Sequence, residues 1–290
     1  MGLERRDDGC LIVRNLAPLG AYGTKLTERL EHWAKIAPER VWLAGRENGA
    51  WRKITYAQAL ASVRRIAAAL LARGLSAERP LMILSGNDLD HAMLGMGALY
   101  AGVAYAPISP AYSLISSDHA KLRYIIDLVT PGLIYAADGA VFGRAIEHAV
   151  PPGVELAVTR NPPSNRAATL FADIERTPVT PAVDAAHAAI TADTIAKFLF
   201  TSGSTGQPKA VINTQRMLCS NLAMISAHFE FMQTEPPVTL DWSPWNHTAG
   251  GNHDFNLILH HGGTLYIDDG RPTAAGMDAT VRNLRDARGQ

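Results

Sequence analysis

Short apolar runs of strand length alternate along this chain with segments of helical periodicity. An alternation of this kind argues for an α/β fold: mainly parallel sheets covered by helices. Thr55 and Gln58 have the spacing of a capping box. After them Tyr56, Leu60, Val63, Ile66, Ala67 and Leu70 recur at helical spacing, and Gly74 stops the helix. Pro80, Leu81, Met82, Ile83 and Leu84 read as a buried strand, and Gly86-Asn87 turns it into the next helix. Residues 103–107 and 133–136 read as strands, and 121–129 as a helix closed by Pro131-Gly132. The stretch 177–194 is rich in Ala, Pro and Thr and reads as an exposed connector. A second alternating set follows from Ile195. It holds a helix carrying Met217, Leu218, Leu222 and Ile225, a strand at 238–240, a helix over 252–261, a strand at 264–267 and a last helical segment over 274–288.

With 47% hydrophobic residues in 290, the chain can bury a sizeable core. Its formal net charge of zero and the lack of a basic cluster interleaved with aromatics argue against nucleic acid and anionic membrane as partners. Cys10 and Cys219 are far apart in sequence and read as two reduced thiols of a cytoplasmic protein. Glu4, Arg5, Arg6, Asp7 and Asp8 precede any apolar run, so the N-terminus is no signal peptide. Arg6 stands where myristoylation of Gly2 would want Ser or Thr. The uncharged stretch within 92–117 is broken by glycines, Pro107 and Pro110, which favours a buried helix and strand over a membrane span.

One loop carries the clearest chemistry. Phe198-Leu199-Phe200 leads into Thr201, Ser202, Gly203, Ser204, Thr205, Gly206, Gln207, Pro208 and Lys209, and Val211-Ile212 follows. Glycines let the backbone turn and bring N–H groups up to an anion. The hydroxyls of Thr201, Ser202, Ser204 and Thr205 can each donate to a phosphate oxygen, and Lys209 adds a compact positive charge. The Walker loop fails at two fixed positions: counting from Gly203, Pro208 replaces the second glycine and Ala210 replaces the magnesium-binding hydroxyl. A flexible Gly/Ser linker would not end in Pro-Lys between two strand-like runs.

This loop resembles the phosphate-binding signature of the adenylate-forming (AMP-binding) superfamily, which includes acyl-CoA synthetases, luciferases and the adenylation domains of peptide synthetases. The resemblance implies ATP-dependent activation of a carboxylate to an acyl adenylate, with release of pyrophosphate. The runs 54–60 (Ile-Thr-Tyr-Ala-Gln-Ala-Leu) and 99–108 (Leu-Tyr-Ala-Gly-Val-Ala-Tyr-Ala-Pro-Ile) are similar to its first and second core motifs. The likeness covers 26–290, read as the adenylation N-terminal domain, behind a leader of 1–25.

A second informative stretch runs from Asp241 to His253: Asp-Trp-Ser-Pro-Trp-Asn-His-Thr-Ala-Gly-Gly-Asn-His. It follows a strand, at the carboxyl end where open α/β sheets place ligands. Aromatic side chains supply flat apolar walls, and Asn or His can orient a carboxylate or phenol. Taken alone, His247 would be a structural histidine with a satisfied ring. The resemblance moves it beside the carboxylate as the catalytic candidate, with Trp245, Asn246, Gly250 and Gly251 in the acid pocket. His253 reads either as a pocket residue or as a helix-start residue. The spacing of His247, His253, His260 and His261 fits no common zinc site, and Asp268-Asp269-Gly270 reads as a turn. No protein metal site is assigned.

Within the superfamily this loop, with 79–87 and 105–114, most resembles feruloyl-CoA synthetases, which implies a ferulate-like hydroxycinnamate as substrate with ATP, Mg2+ and CoA. Ala249 departs from the bulkier aromatic residue expected there. Later motifs implied by the resemblance have no match: a magnesium-holding glutamate, a ribose-binding aspartate, a hinge and a lysine on a C-terminal domain. The chain is therefore read as an N-terminal part, incomplete at its C-terminal end and inactive alone. The alternatives are a non-enzymatic nucleotide-binding fragment and an adenylating enzyme with another acyl acceptor.

Overall fold

The computed structural model describes residues 2–201, 206–229 and 231–288. In chain order the strands are β1 (Gly2–Arg5), β2 (Leu11–Arg14), β3 (Val41–Glu47), β4 (Ala50–Thr55), β5 (Leu81–Leu84), β6 (Tyr105–Pro107) and β7 (Leu133–Asp138). They continue as β8 (Glu155–Arg160), β9 (Thr169–Leu170), β10 (Ile195–Thr201), β11 (Lys209–Thr214), β12 (Val238–Asp241) and β13 (Thr264–Ile267). Among the described residues the larger sheet has seven strands in the order β11-β10-β6-β5-β7-β8-β9, all parallel except the β10/β11 hairpin. A four-stranded sheet has the order β12-β13-β3-β4, with only β3/β4 antiparallel. β1 and β2 make a separate, mostly exposed hairpin, and the first buried side chains after it are Leu26 and Thr27.

Three helices pack against one another beside these sheets: α1 (Thr27–Ile36), α2 (Tyr56–Ala72) and α3 (Leu89–Ala101). The Thr55/Gln58 capping box forms, with Gln58 N donating to Thr55 Oγ1 at 3.3 Å and Thr55 N to Gln58 Oε1 at 3.0 Å. Gly74 follows α2 in the left-handed region at φ +63°. In α3 every residue except Asp90 is buried, as befits a helix apolar on all sides. Its N-cap is Asp88, whose carboxylate accepts from His91 N at 2.7 Å, and Gly102 at φ +70° ends it. α3 touches β3 of one sheet and β6 of the other, and packs along α2. Gly97 makes the α2/α3 approach close: a Cβ there would lie 2.4 Å from Ile66 Cγ2.

The two alternating sets of elements are not separate units. β10 pairs with β6 at Lys197 and Tyr105, so both sets share the seven-stranded sheet. The segment read as an exposed connector instead contains a helix, Pro181–Ala189, with Val183 and His187 buried. Val183 and His187 are one helical turn apart, and this two-residue stripe was hidden by the surrounding Ala, Pro and Thr. His187 stacks on Tyr100 at 3.9 Å between ring centroids and its Nε2 lies 2.9 Å from Thr27 Oγ1. The β3/β4 hairpin turns on Asn48-Gly49, both with positive φ, a strong two-residue hairpin signal.

The Gly97 contact gives a direct test of this packing. Gly97→Ala should destabilise the protein by about 1–3 kcal/mol through overpacking, measured by urea denaturation. An unchanged midpoint would show that α2 and α3 are not closely packed at this position.

Candidate active site

The proposed phosphate loop is the tip of the β10/β11 hairpin. Thr201 and Lys209 face each other as its last antiparallel pair. Thr201 and Lys209 are exposed, and Gly206 adopts φ +84°, a conformation glycine reaches without strain. Ser202, Gly203, Ser204 and Thr205 lie outside the described residues. Pro208 is buried and immediately precedes the return strand. Lys209 is exposed at the start of the return strand β11.

The second loop leaves the carboxyl end of β12. Asp241 Oδ1 accepts from Ser243 N at 2.8 Å and turns the chain. Asn87, in the turn after β5, then clamps the loop from the other sheet. Its Nδ2 donates to Ser243 O at 2.8 Å and its Oδ1 accepts from Trp245 N at 3.0 Å. Trp245 points inward and is 5% exposed. Its ring meets His91 edge-on at 5.2 Å and Phe255 at 4.8 Å. Beneath it lies a cavity of about 10 Å³ lined by His91, Gly95, Tyr105, Trp245, Phe255 and Asn256, which is room for about one water.

Asn246 is half-buried and His247 is exposed. His247 N donates to Pro244 O at 3.0 Å, and its Nδ1 lies 3.4 Å from Ala249 N. Residues Ala249–Asp254 form a π-helical turn that passes into helix Phe255–His261. Helical structure thus begins earlier than the expected start at 252, and His253 lies inside it, paired with Asp254 at 2.7 Å. Such turns recur at functional sites because they widen the helix and release carbonyls. Gly250 and Gly251 let the loop fold onto this turn: a Cβ would lie 2.4 Å from Ser243 O at Gly250 and 2.2 Å from Trp245 O at Gly251. Only glycine fits at either position.

Several polar residues not singled out from the sequence brace this turn against the β10/β11 hairpin. Asn252 Nδ2 donates to Asn213 Oδ1 of β11 at 2.8 Å, and Asn213 Nδ2 to Val211 O at 2.9 Å. Lys197 Nζ, buried on β10, donates to Gly251 O at 3.0 Å and lies 5.4 Å from the centre of the Tyr105 ring. Burial pushes the Lys197 ammonium down to about 7 and the His91 imidazole down to about 4, where Lys197 also acts against it. Burial raises the Asp241 carboxyl above its ordinary range. A lysine inside an otherwise apolar strand and an asparagine pair across two elements are visible as residues in the sequence. Their meeting is a tertiary fact.

The other polar candidates are structural. Asp268 accepts from Gly270 N at 2.9 Å, as a turn requires, and also from Thr280 and Asn283, which fastens helix Met277–Arg288. His260 O takes two donors from Arg29, and His261 Nε2 lies 2.9 Å from Ser226 Oγ. Among the described residues no three His, Cys, Asp or Glu side chains converge as a metal site. No helix among the described residues is long and apolar enough to cross a membrane.

The profile described as AMP-binding enzyme matches residues 30–288, and the chain belongs to that family. It is 25% identical over 266 residues to a linear gramicidin synthase polypeptide of Brevibacillus parabrevis, covering 91% of this chain and 5% of that protein. It is 27% identical over 205 residues to a plipastatin synthase polypeptide of Bacillus subtilis, covering 71% of this chain and 7% of that protein. The chain thus spans a small part of these relatives. Its fold matches the luciferase-like enzyme of the mealworm Zophobas morio with a TM-score of 0.69 at 17% identity, covering 91% of this chain and 58% of that one. A fatty acyl-adenylate ligase from L. pneumophila, solved with acyl adenylate and pyrophosphate, matches with a TM-score of 0.64 at 21% identity, covering 83% and 39%. The α/β fold is that of the N-terminal domain of adenylate-forming enzymes.

The Asn87 clamp is testable. Asn87→Ala leaves Ser243 O and Trp245 N without their partner, at a cost of about 1–3 kcal/mol. Hydrogen exchange at the Trp245 amide should accelerate while α2 keeps its protection. Unchanged exchange at Trp245 would show that Asn87 does not hold the loop.

Proposed function

We propose that this AMP-binding enzyme activates a hydroxycinnamate-type acid such as ferulate and passes it to CoA. The observation that carries the reading is the bracing of the 241–253 loop onto the phosphate hairpin through Asn252–Asn213 and Lys197–Gly251. One rigid frame thereby holds an anion-binding tip and an acid-binding loop. In the reaction a carboxylate oxygen attacks the α-phosphorus of ATP. A new P–O bond forms and pyrophosphate leaves. The CoA thiolate then attacks the acyl carbonyl and AMP leaves.

In this reading Thr201 to Lys209 take the phosphates, with Ser202, Gly203, Ser204, Thr205 and Gly206 in the cradle. His247, exposed at the loop crest, orients the carboxylate, with Asn246 next to it. Trp245, Gly250 and Gly251 shape the floor from within, since their contacts are to the core and to the loop's own carbonyls. Mg2+ supplies charge neutralisation at the phosphates when bound, and no step here is assigned to a protein ligand of it. The feruloyl preference rests on the likeness of the 241–253 loop to feruloyl-CoA synthetases. A second reading, transfer to a carrier protein instead of CoA, is favoured by the names of the curated relatives, which include peptide synthetases.

Calorimetry with non-hydrolysable acyl-sulfamoyl adenosines tests both halves. The feruloyl analogue should bind more tightly than aspartyl or long-chain fatty acyl analogues. Lys209→Ala should weaken all of them by about 10-fold or more, the loss of a charged hydrogen bond, and leave free ferulate affinity nearly unchanged. Tighter binding of an aminoacyl analogue would overturn the hydroxycinnamate reading, and no binding of any analogue would overturn acyl adenylation by this chain.

A further inference from the structure

Lys197 is a buried cation that neither the phosphate nor the carboxylate chemistry uses. Its side chain is 1% exposed and lies between β10, the Tyr105 ring and the π-helical turn. Among the described residues no carboxylate pairs with it. Burying an unpaired ammonium is costly, and at this position an apolar residue would fit a strand whose neighbouring residues are Ile195, Ala196, Phe198, Leu199 and Phe200. What Lys197 supplies is a hydrogen bond at one peptide. It donates to Gly251 O at 3.0 Å, while the N–H of the same residue donates to His247 O at 2.8 Å.

We propose that Lys197 is a positioning residue that fixes His247 through the backbone of Gly251 and so sets how the loop meets the acid. This rests on the reading of 241–253 as the acid-binding loop. Gly251 has no side chain to hold it, and a Cβ could not be added because Trp245 O would lie 2.2 Å away. The orientation of the turn is therefore left to backbone bonds and to the two side chains that reach it from the hairpin, Lys197 and Asn213 (through Asn252). Because Lys197 and Lys209 stand on the two strands of one hairpin, an anion drawn to its tip and an acid beside His247 are coupled through β10.

A pH dependence follows from this geometry. Lys197 titrates near 7, and a charged donor holds a carbonyl more strongly than a neutral amine. The link is strongest below pH 7 and weakens as pH rises through it. The titratable groups facing the ammonium are His91 from α3, already neutral at this pH because burial pulls it to about 4, and Tyr105 from β6, held protonated by burial. On the π-helical turn His253 and Asp254 pair with each other.

The test uses the 290-residue chain and its Lys197→Met and Lys197→Arg variants. Hydrogen exchange, corrected for intrinsic rates, is followed at the Gly251 amide between pH 6 and 8.5. In the wild type, protection should fall about threefold or more across that range. Lys197→Met should be low and flat, and Lys197→Arg high and flat. Calorimetry should show the feruloyl-sulfamoyl adenosine bound about 10-fold more weakly by Lys197→Met at pH 6, with ATP affinity within twofold of wild type. Wild-type protection that stays level with pH, or a folded Lys197→Met with wild-type protection and affinity, would overturn the proposal. If Lys197→Met does not fold, the wild-type profile decides alone. A wild type that binds no analogue would instead refute the acid-activation reading, and the exchange measurement would still decide the role of Lys197.

Discussion

The burial of α3 between two sheets is the constraint on which the rest of the structure depends. A helix that is apolar on every side cannot rest on a surface, so it must be enclosed. Here β3 lies against it from the four-stranded sheet and β6 from the seven-stranded one. The helix is introduced by the turn 85–88, and that turn supplies both its cap, Asp88, and the loop clamp, Asn87. Enclosing α3 therefore also fixes the residue that reaches across to Ser243 and Trp245. The 241–253 loop is thereby fastened where the two sheets meet.

A second consequence is that the π-helical turn and the 241–253 loop are fastened largely through backbone groups. Asn87, Asn213, Asn252 and Lys197 all act on peptide groups or on one another. Glycines at 250 and 251 permit the close approach that lets those bonds form. A loop held in this way can present an exposed histidine at a fixed place without burying it. The cavity under Trp245 is too small for anything but water, so an acid occupying that region would require the loop or the 255–261 helix to shift.

Much of this was legible in the sequence because the signals are local. The α2 capping box, the strands at 81–84 and 264–267 and the glycine stops depend on neighbours within one or two turns. The hairpin that carries Thr201 and Lys209 followed from two strand-like runs on either side of a glycine-rich stretch. The helix over Pro181–Ala189 was hidden because its buried stripe is only Val183 and His187, and the partners of His187, Tyr100 and Thr27, are distant in sequence. The π-helical turn was hidden for the same reason: its geometry depends on Lys197 and on carbonyls of 243–245. Trp245 shows the limit of composition, since this tryptophan of the 241–253 loop is the plug that seats the loop on the core.

The central claim is that the phosphate hairpin and the 241–253 loop form one unit. Hydrogen exchange of the chain with and without feruloyl-sulfamoyl adenosine tests it most directly. The account predicts that protection rises together at 206–214 and 243–256. Protection confined to one of the two segments would contradict it.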